Sequence, residues 1–289
     1  MPDSAHAEAA AGSRPAAWTV DSPQDPRVAD FVGLTDGARR MLHEPGAGFF
    51  IAEGEKVIAR TAAAGYPPRA LLVSPARLGD LSPEVAALDC PVLVASYDVL
   101  QAVTGFHVHR GALASFGRLP LRSAADVLAT ARRVVVMERV TNHTNLGAVF
   151  RSAAALGMDA VLLSPDSCDP LYRRCVRVSM GQVFSVPYAY LDGWPGGVEQ
   201  VRAAGFRVLA LTPHAGATDL GDVRVAPDDR VALLFGAEGP GLSAEARAGA
   251  AQAVSIAQFG STRSINAGVA AGIAMHTWIR RHADLSTAW

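Results

Sequence analysis

The chain is predicted to be an α/β protein, with a small α/β unit followed by a larger domain built on a mainly parallel sheet. Two observations predict it. Beyond residue 130, short apolar runs recur with helical stretches between them: Val134-Val-Val-Met137, Ala160-Val-Leu-Leu163, Arg207-Val-Leu-Ala-Leu211, Val231-Ala-Leu-Leu-Phe235 and Val254-Ser-Ile256. Unbroken apolar strands separated by helices imply a parallel sheet covered on both faces, which binds ligands beyond the carboxyl ends of its strands. Half of the 289 residues are apolar, enough to bury the cores of two domains.

Taken in order, residues 1–19 read as a disordered tail, because Ala, Ser and Gly dominate and no apolar face repeats. Residues 20–120 make the small unit: a helix over 28–41, an extended Phe49-Phe50-Ile51-Ala52-Glu53-Gly54, a helix over 55–64, buried strands at 70–74 and 91–95, and a short helix over 97–104. His107 and His109 alternate as on a strand; without a carboxylate or cysteine nearby they predict a structural or RNA-contacting pair rather than a metal site. Residues 121–130, following Pro120, read as a linker, and 131–289 as the larger domain.

Composition narrows the function. No apolar run reaches the eighteen or so residues that span a bilayer, and no secretory leader is evident, so a cytoplasmic protein without membrane contact is expected. Cys90, Cys168 and Cys175 are too few and too irregularly spaced for a disulfide framework or a zinc ribbon, so no metal is expected. A net charge of −1 means that any polyanion must be met by a local patch, for which Arg139, Arg151, Arg173, Arg174 and Arg177 are the candidates.

Three stretches carry the chemistry. Asn145-Leu-Gly147-Ala-Val-Phe-Arg151 reads as a helix over 146–156 capped by Asn145, with Arg151 interrupting an apolar face. Phe235-Gly-Ala-Glu238-Gly-Pro-Gly241-Leu-Ser243 is glycine-rich, yet lacks the Lys-Ser/Thr of a phosphate loop and the spacing of a dinucleotide fingerprint. Its Glu238 would oppose a pyrophosphate, and suits a cationic or hydroxyl-rich ligand. Gly260-Ser-Thr-Arg-Ser264-Ile265-Asn266 enters a helix of small residues, with Ser264 placed to cap it and Asn266 in its first turn.

In their order and spacing these stretches resemble the three signature motifs of the SpoU (TrmH-like) branch of the SPOUT RNA methyltransferases. The resemblance implies an α/β trefoil knot over 131–289, a preceding domain similar to small RNA-binding ribosomal proteins, and S-adenosyl-L-methionine held by knotted loops matching 211–216, 235–241 and 256–266. It implies methyl transfer to a ribose 2′-hydroxyl of RNA, with ribosomal RNA favoured over tRNA because a substantial domain precedes the knot. Alternatives are a tRNA 2′-O-methyltransferase and a non-catalytic RNA-binding protein that keeps the knot.

Carried over by motif, the catalytic residues are Asn145, Arg151, Glu238, Ser264 and Asn266, and the cofactor contacts are Thr212, Gly236, Glu238, Gly241, Ile256 and Ile265. Family proposals make the residue matching Arg151 the general base. An arginine almost never gives up its proton, so stabilising the developing alkoxide or anchoring a phosphate is the other role open to it. Ile-Ala-Gln at 256–258 and Asn-Ala-Gly at 266–268 depart from the family's usual Ile-Pro-Met and Asn-Val-Ser-like runs. A homodimer is implied, paired through the knot and the last helix, where small residues lead to Met275, Trp278 and Ile279.

Overall fold

A computed structural model describes residues 17–108, 111–214, 216–226, 228–259 and 265–282. The first sheet comprises β1 (Ala17–Val20), β2 (Phe49–Glu53), β3 (Pro68–Val73), β4 (Val92–Ala95) and β5 (Ala112–Gly117), in the order β1-β4-β3-β5-β2. Strands β1, β4 and β3 run parallel, while β5 is antiparallel to both β3 and β2. Its helices are α1 (Gly37–Gly46), α2 (Glu55–Ala63), the short α3 (Pro75–Leu78) and α4 (Pro83–Ala86), and α5 (Tyr97–Thr104).

The second sheet comprises β6 (Arg133–Met137), β7 (Ala160–Leu163), β8 (Tyr188–Tyr190), β9 (Phe206–Leu211), β10 (Thr218–Asp219), β11 (Arg230–Phe235) and β12 (Gln252–Ser255). Their order is β10-β12-β9-β11-β6-β7-β8, and every described pair is parallel. Around it lie α6 (Ala124–Thr130), α7 (His143–Ala155), α8 (Arg173–Val178), α9 (Gly197–Ala203), α10 (Ala244–Gly249) and α11 (Ala267–His282). From β6 the chain builds outward through β7 and β8, then returns to β9 on the far side of β11. That reversal opens a crevice at the carboxyl ends of the central strands.

The period of two along each strand sorts residues into separate cores. Phe49, Ile51, Leu72 and Leu93 pack on the outer face of the first sheet, and Phe50, Leu71, Val73 and Phe116 on its inner face. That inner core is continuous with Val135, Met137, Leu163 and Leu233 of the second sheet, whose opposite face buries Val134, Val136, Leu162 and Leu234. Polar contacts tie the two sheets together. Glu53, at the end of β2, accepts from Arg173 Nη1 at 2.5 Å and Arg177 Nη1 at 3.1 Å, and Arg118 reaches Asp169 at 2.5 Å.

Several expectations change. Residues 17–19, assigned to the tail, begin β1 against β4, whereas 1–16 lie outside the described residues. The helix expected over 28–41 is split into a 3-10 turn at Pro26–Phe31 and α1, because Gly33 takes a φ of 66° and Asp36 caps a fresh start. Residues 121–130 are no loose linker: Ser123 caps α6, and Ala124, Val127 and Leu128 are buried in the second sheet's core. His107 sits in irregular backbone rather than a strand, and His109 is outside the described residues. Strand β12 ends at Ser255, leaving Ile256 in the following loop. Of the candidate arginine patch, Arg173 and Arg177 turn to Glu53 and Arg139 pairs with Asp166. Among the described residues no helix is long and apolar enough to cross a membrane.

Candidate active site

The loop after β6 delivers Asn142, not Asn145, to the N-cap of α7: Asn142 Oδ1 accepts from the backbone N–H of Thr144 at 2.9 Å and of Asn145 at 3.4 Å. Relieved of capping, Asn145 lies in the first turn, 4% exposed, with its side chain free to reach across the crevice. Gly147 allows α7 to rest on α8, since a Cβ there would stand 2.9 Å from the Cys175 carbonyl oxygen.

The glycine loop after β11 doubles back on itself. Gly241 N–H donates to Ala237 O at 3.0 Å, Gly239 and Gly241 take φ values of 84° and 72°, and a Cβ on Gly236 would fall 2.2 Å from Leu242 N. The far end of the loop is pinned by a residue that the sequence reading missed. Glu138, buried at the end of β6, accepts from Ser243 N–H at 2.9 Å through Oε2 and from Trp194 Nε1 at 2.6 Å through Oε1. Its signal in the sequence is a carboxylate closing an otherwise apolar strand.

The third stretch brings Asn266. Its Oδ1 accepts from Gly268 N–H at 3.0 Å and Val269 N–H at 3.2 Å, so Asn266 caps α11, the role expected of Ser264, which lies outside the described residues. This fixes the amide's orientation: Nδ2 faces away from the helix and donates to Asn145 Oδ1 at 3.0 Å and Glu238 Oε1 at 2.9 Å. Asn145 Nδ2 also donates to Glu238 Oε1. Two amides from two helices thus converge on one carboxylate oxygen, and Glu238 Oε2 is left without a protein donor among the described residues.

Beside this triangle lies a cleft of about 310 Å³ lined by Thr212, Gly236, Glu238, Gly241, Ile256 and Ile265, with Asn266 at its edge. Leu211, Phe235 and Gln258, which lie in the three loops matched to the cofactor pocket but were not named individually, also line it. Helix α11 packs on α7 through its glycines: a Cβ on Gly268 would lie 3.2 Å from Ala148 Cβ, and one on Gly272 3.5 Å from Ser152 Oγ. Met275 and Trp278, expected to face a partner, are buried within the chain, whereas Val269 and Ile273 face outward.

Arg151 does not join the triangle. Six residues beyond Asn145 on α7, it sits roughly 9 Å along the axis and about 240° around it, and opens on a different cavity with Lys56 and Arg60.

An all-parallel sheet carrying a carboxylate-bearing glycine turn and two helix-borne amides at its carboxyl edge is the build of a SPOUT methyltransferase. An AdoMet-bound rRNA methyltransferase from Sinorhizobium meliloti has the same fold, with a TM-score of 0.78 and 26% identity, covering 93% of this chain and 99% of that one. The model of the SpoU rRNA Methylase family matches residues 132–276. A Mycobacterium tuberculosis protein described as an uncharacterized tRNA/rRNA methyltransferase is 43% identical over 258 residues, 89% of this chain and 90% of that one. The chain belongs to the SpoU rRNA methylase family. The 23S rRNA (adenosine(1067)-2′-O)-methyltransferase of Streptomyces azureus is 34% identical over 160 residues, 54% of this chain and 58% of that one.

Proposed function

We propose that this protein is a cytoplasmic, S-adenosylmethionine-dependent methyltransferase that modifies a ribose 2′-hydroxyl of ribosomal RNA. The observation that carries the reading is the meeting of Asn145, Glu238 and Asn266 beside the cleft of Thr212, Gly236 and Ile256. The donor set suits this cofactor. Leu211, Ile256 and Ile265 offer an apolar bed for an adenine, and Glu238 offers a carboxylate to an amine, a sulfonium or a ribose diol. Bound there, S-adenosylmethionine supplies a methyl group activated on a sulfonium. The named relative from Streptomyces azureus supports both the 2′-hydroxyl and the ribosomal target.

The chain's own part is positioning and charge control. The paired amides hold Glu238 in one orientation, so that it can order the ligand without first reorganising. Arg151, which opens on a separate cavity, acts as an anion ligand and anchors a phosphate of the bound RNA. We further place the chain in a trefoil-knotted homodimer paired through the outward Val269 and Ile273 of α11, which are 53% and 38% exposed.

Labelled methyl transfer to total RNA, followed by mapping of the modified nucleotide, tests the reaction: a 2′-O-methyl mark in ribosomal RNA is expected, and a base methylation would overturn the reading. Arg151→Lys tests the role of the guanidinium, with a large loss expected. Light scattering at micromolar concentration should give a dimer.

A further inference from the structure

The cavity onto which Arg151 opens shares no residue with the cofactor cleft and has a volume of about 520 Å³. Its walls come from both halves of the molecule. Lys56 and Arg60, one turn apart on α2, face Arg151 on α7, and the turn 180–185 before β8 completes the wall. Three cations and no carboxylate line it, a local reversal in a chain of net charge −1. Several arginines elsewhere find carboxylates: Arg69 pairs with Asp30, Arg118 with Asp169 and Arg139 with Asp166. Among the described residues neither Lys56 nor Arg151 has an ion pair or a hydrogen-bond partner. The adjacent carboxylate on α2, Glu55, is taken by Arg77 at 3.4 Å and by Ser82 N–H at 2.8 Å.

Beside the apolar Ala154, Ala155, Met158 and Val186, the turn 180–185 is held in place and offers a donor. Arg60 Nη1 donates to Met180 O at 2.5 Å, and Met180 holds a φ of 56°, a left-handed conformation that a non-glycine residue keeps only where its surroundings impose it. Ser185 Oγ donates to Gln182 Oε1 at 2.6 Å, which leaves the Gln182 amide nitrogen as a further donor. A phosphodiester, which offers only acceptor oxygens and carries one negative charge, matches such a set.

We propose that this cavity holds a backbone phosphate of the RNA substrate, ligated by Lys56, Arg60 and Arg151, so that the strand is gripped across the join between the two sheets. The proposal rests on the RNA reading given above and extends it to residues outside the three motifs. Lys56, which has no ion pair or hydrogen bond among the described residues, is the cleanest probe.

The test is fluorescence anisotropy of a short, labelled, mixed-sequence single-stranded RNA over a series of KCl concentrations. Lys56→Gln should lower the slope of log Kd against log salt by about 0.7, so that its loss of affinity against wild type, largest at low salt, shrinks roughly threefold over a fourfold rise in salt, as one lost phosphate contact implies. The Lys56→Gln, Arg151→Gln double variant should lose about twice that slope. Lys56→Arg should restore it. Melting temperature and S-adenosylmethionine affinity by calorimetry should match wild type, which separates a lost contact from a damaged fold. An unchanged slope and affinity in Lys56→Gln, with wild type binding the RNA, would overturn the phosphate site alone. Wild type that neither binds RNA nor methylates it would overturn the RNA reading, and the site with it.

Discussion

Asn145 and Asn266 each use both ends of an amide, and neither can be replaced without releasing the other. Asn266 Oδ1 is committed to the first turn of α11, so its Nδ2 must donate outward, and Asn145 Oδ1 and Glu238 Oε1 accept. Asn145→Ala should therefore lower turnover roughly 100-fold through a loosened Glu238, with a smaller loss of cofactor affinity. Single-turnover methyl transfer against calorimetric binding checks the split, and an unchanged rate would sink the assignment. His143, two residues earlier, behaves differently. Its ring lies 4.4 Å from that of Tyr172, its Nε2 is buried without a hydrogen-bond partner among the described residues, and burial lowers its pKa below the usual 6.5. The unfolded chain then binds more protons than the folded one between those two values, so this contribution to stability is complete above about pH 6.5 and is lost as the pH falls. His143→Gln should flatten the fall in melting temperature between neutral and mildly acid pH. The three members of the triangle were legible through the resemblance of their stretches to the family's motifs, not through composition or periodicity alone. The caps were not: Asn142 and Asn145 are both good capping residues three positions apart, and only the crevice across from α7 decides which of them is left free to face Glu238.

At the scale of elements, the central strands of the second sheet could be read because burial on both faces leaves no polar residue to interrupt them. Strands β8 and β10, with three and two residues, are shorter than any pattern that could announce them, and are defined by pairing with β7 and β12. The glycines divide in the same way between what chain chemistry shows and what packing decides. In the loop after β11, a Cβ on Gly236 would meet the backbone of Gly241 and Leu242 at 2.2 Å, so the turn that presents Glu238 cannot close around alanine. Gly236→Ala should abolish measurable cofactor binding in a protein that still melts cooperatively. Gly272 is the counterexample within α11: a Cβ there makes only ordinary contact with Ser152 Oγ at 3.5 Å. Gly272→Ala should stabilise the protein by about 0.5–1 kcal/mol through helix propensity, read from the shift of a denaturation midpoint. If both variants were equally damaging, the separation between a closed loop and a tolerant helix contact would be mistaken.

Over the whole molecule, the carboxylate of Glu53 is the most buried of the ion-pair links between the two sheets. Glu53 ends β2 with its side chain 7% exposed, and holds Arg173, 18% exposed, and Arg177, 48% exposed, on α8. Helix α2 begins two residues after Glu53, and α8 packs against α7, so this one contact sets Lys56 and Arg60 relative to Arg151. Replacing the carboxylate with an amide keeps the shape and strands a half-buried guanidinium without its counter-charge. Glu53→Gln should cost about 2 kcal/mol, within the range for hydrogen bonds to charged groups, measurable as a lowered denaturant midpoint. Its functional consequence follows from geometry: the cofactor cleft, lined by the ends of β9 and β11, the loops after β9, β11 and β12 and the start of α11, should bind S-adenosylmethionine as before, while RNA-directed methyl transfer falls roughly tenfold, the loss of about 1.4 kcal/mol of positioning. Measured side by side at a temperature where the variant is fully folded, the two readouts must part company. Equal losses in both would mean that Glu53 supports the second sheet itself, and no loss in either would mean that Phe50, Tyr66 and Phe184, whose rings meet across the join at 5.1–5.7 Å, hold the sheets in register unaided.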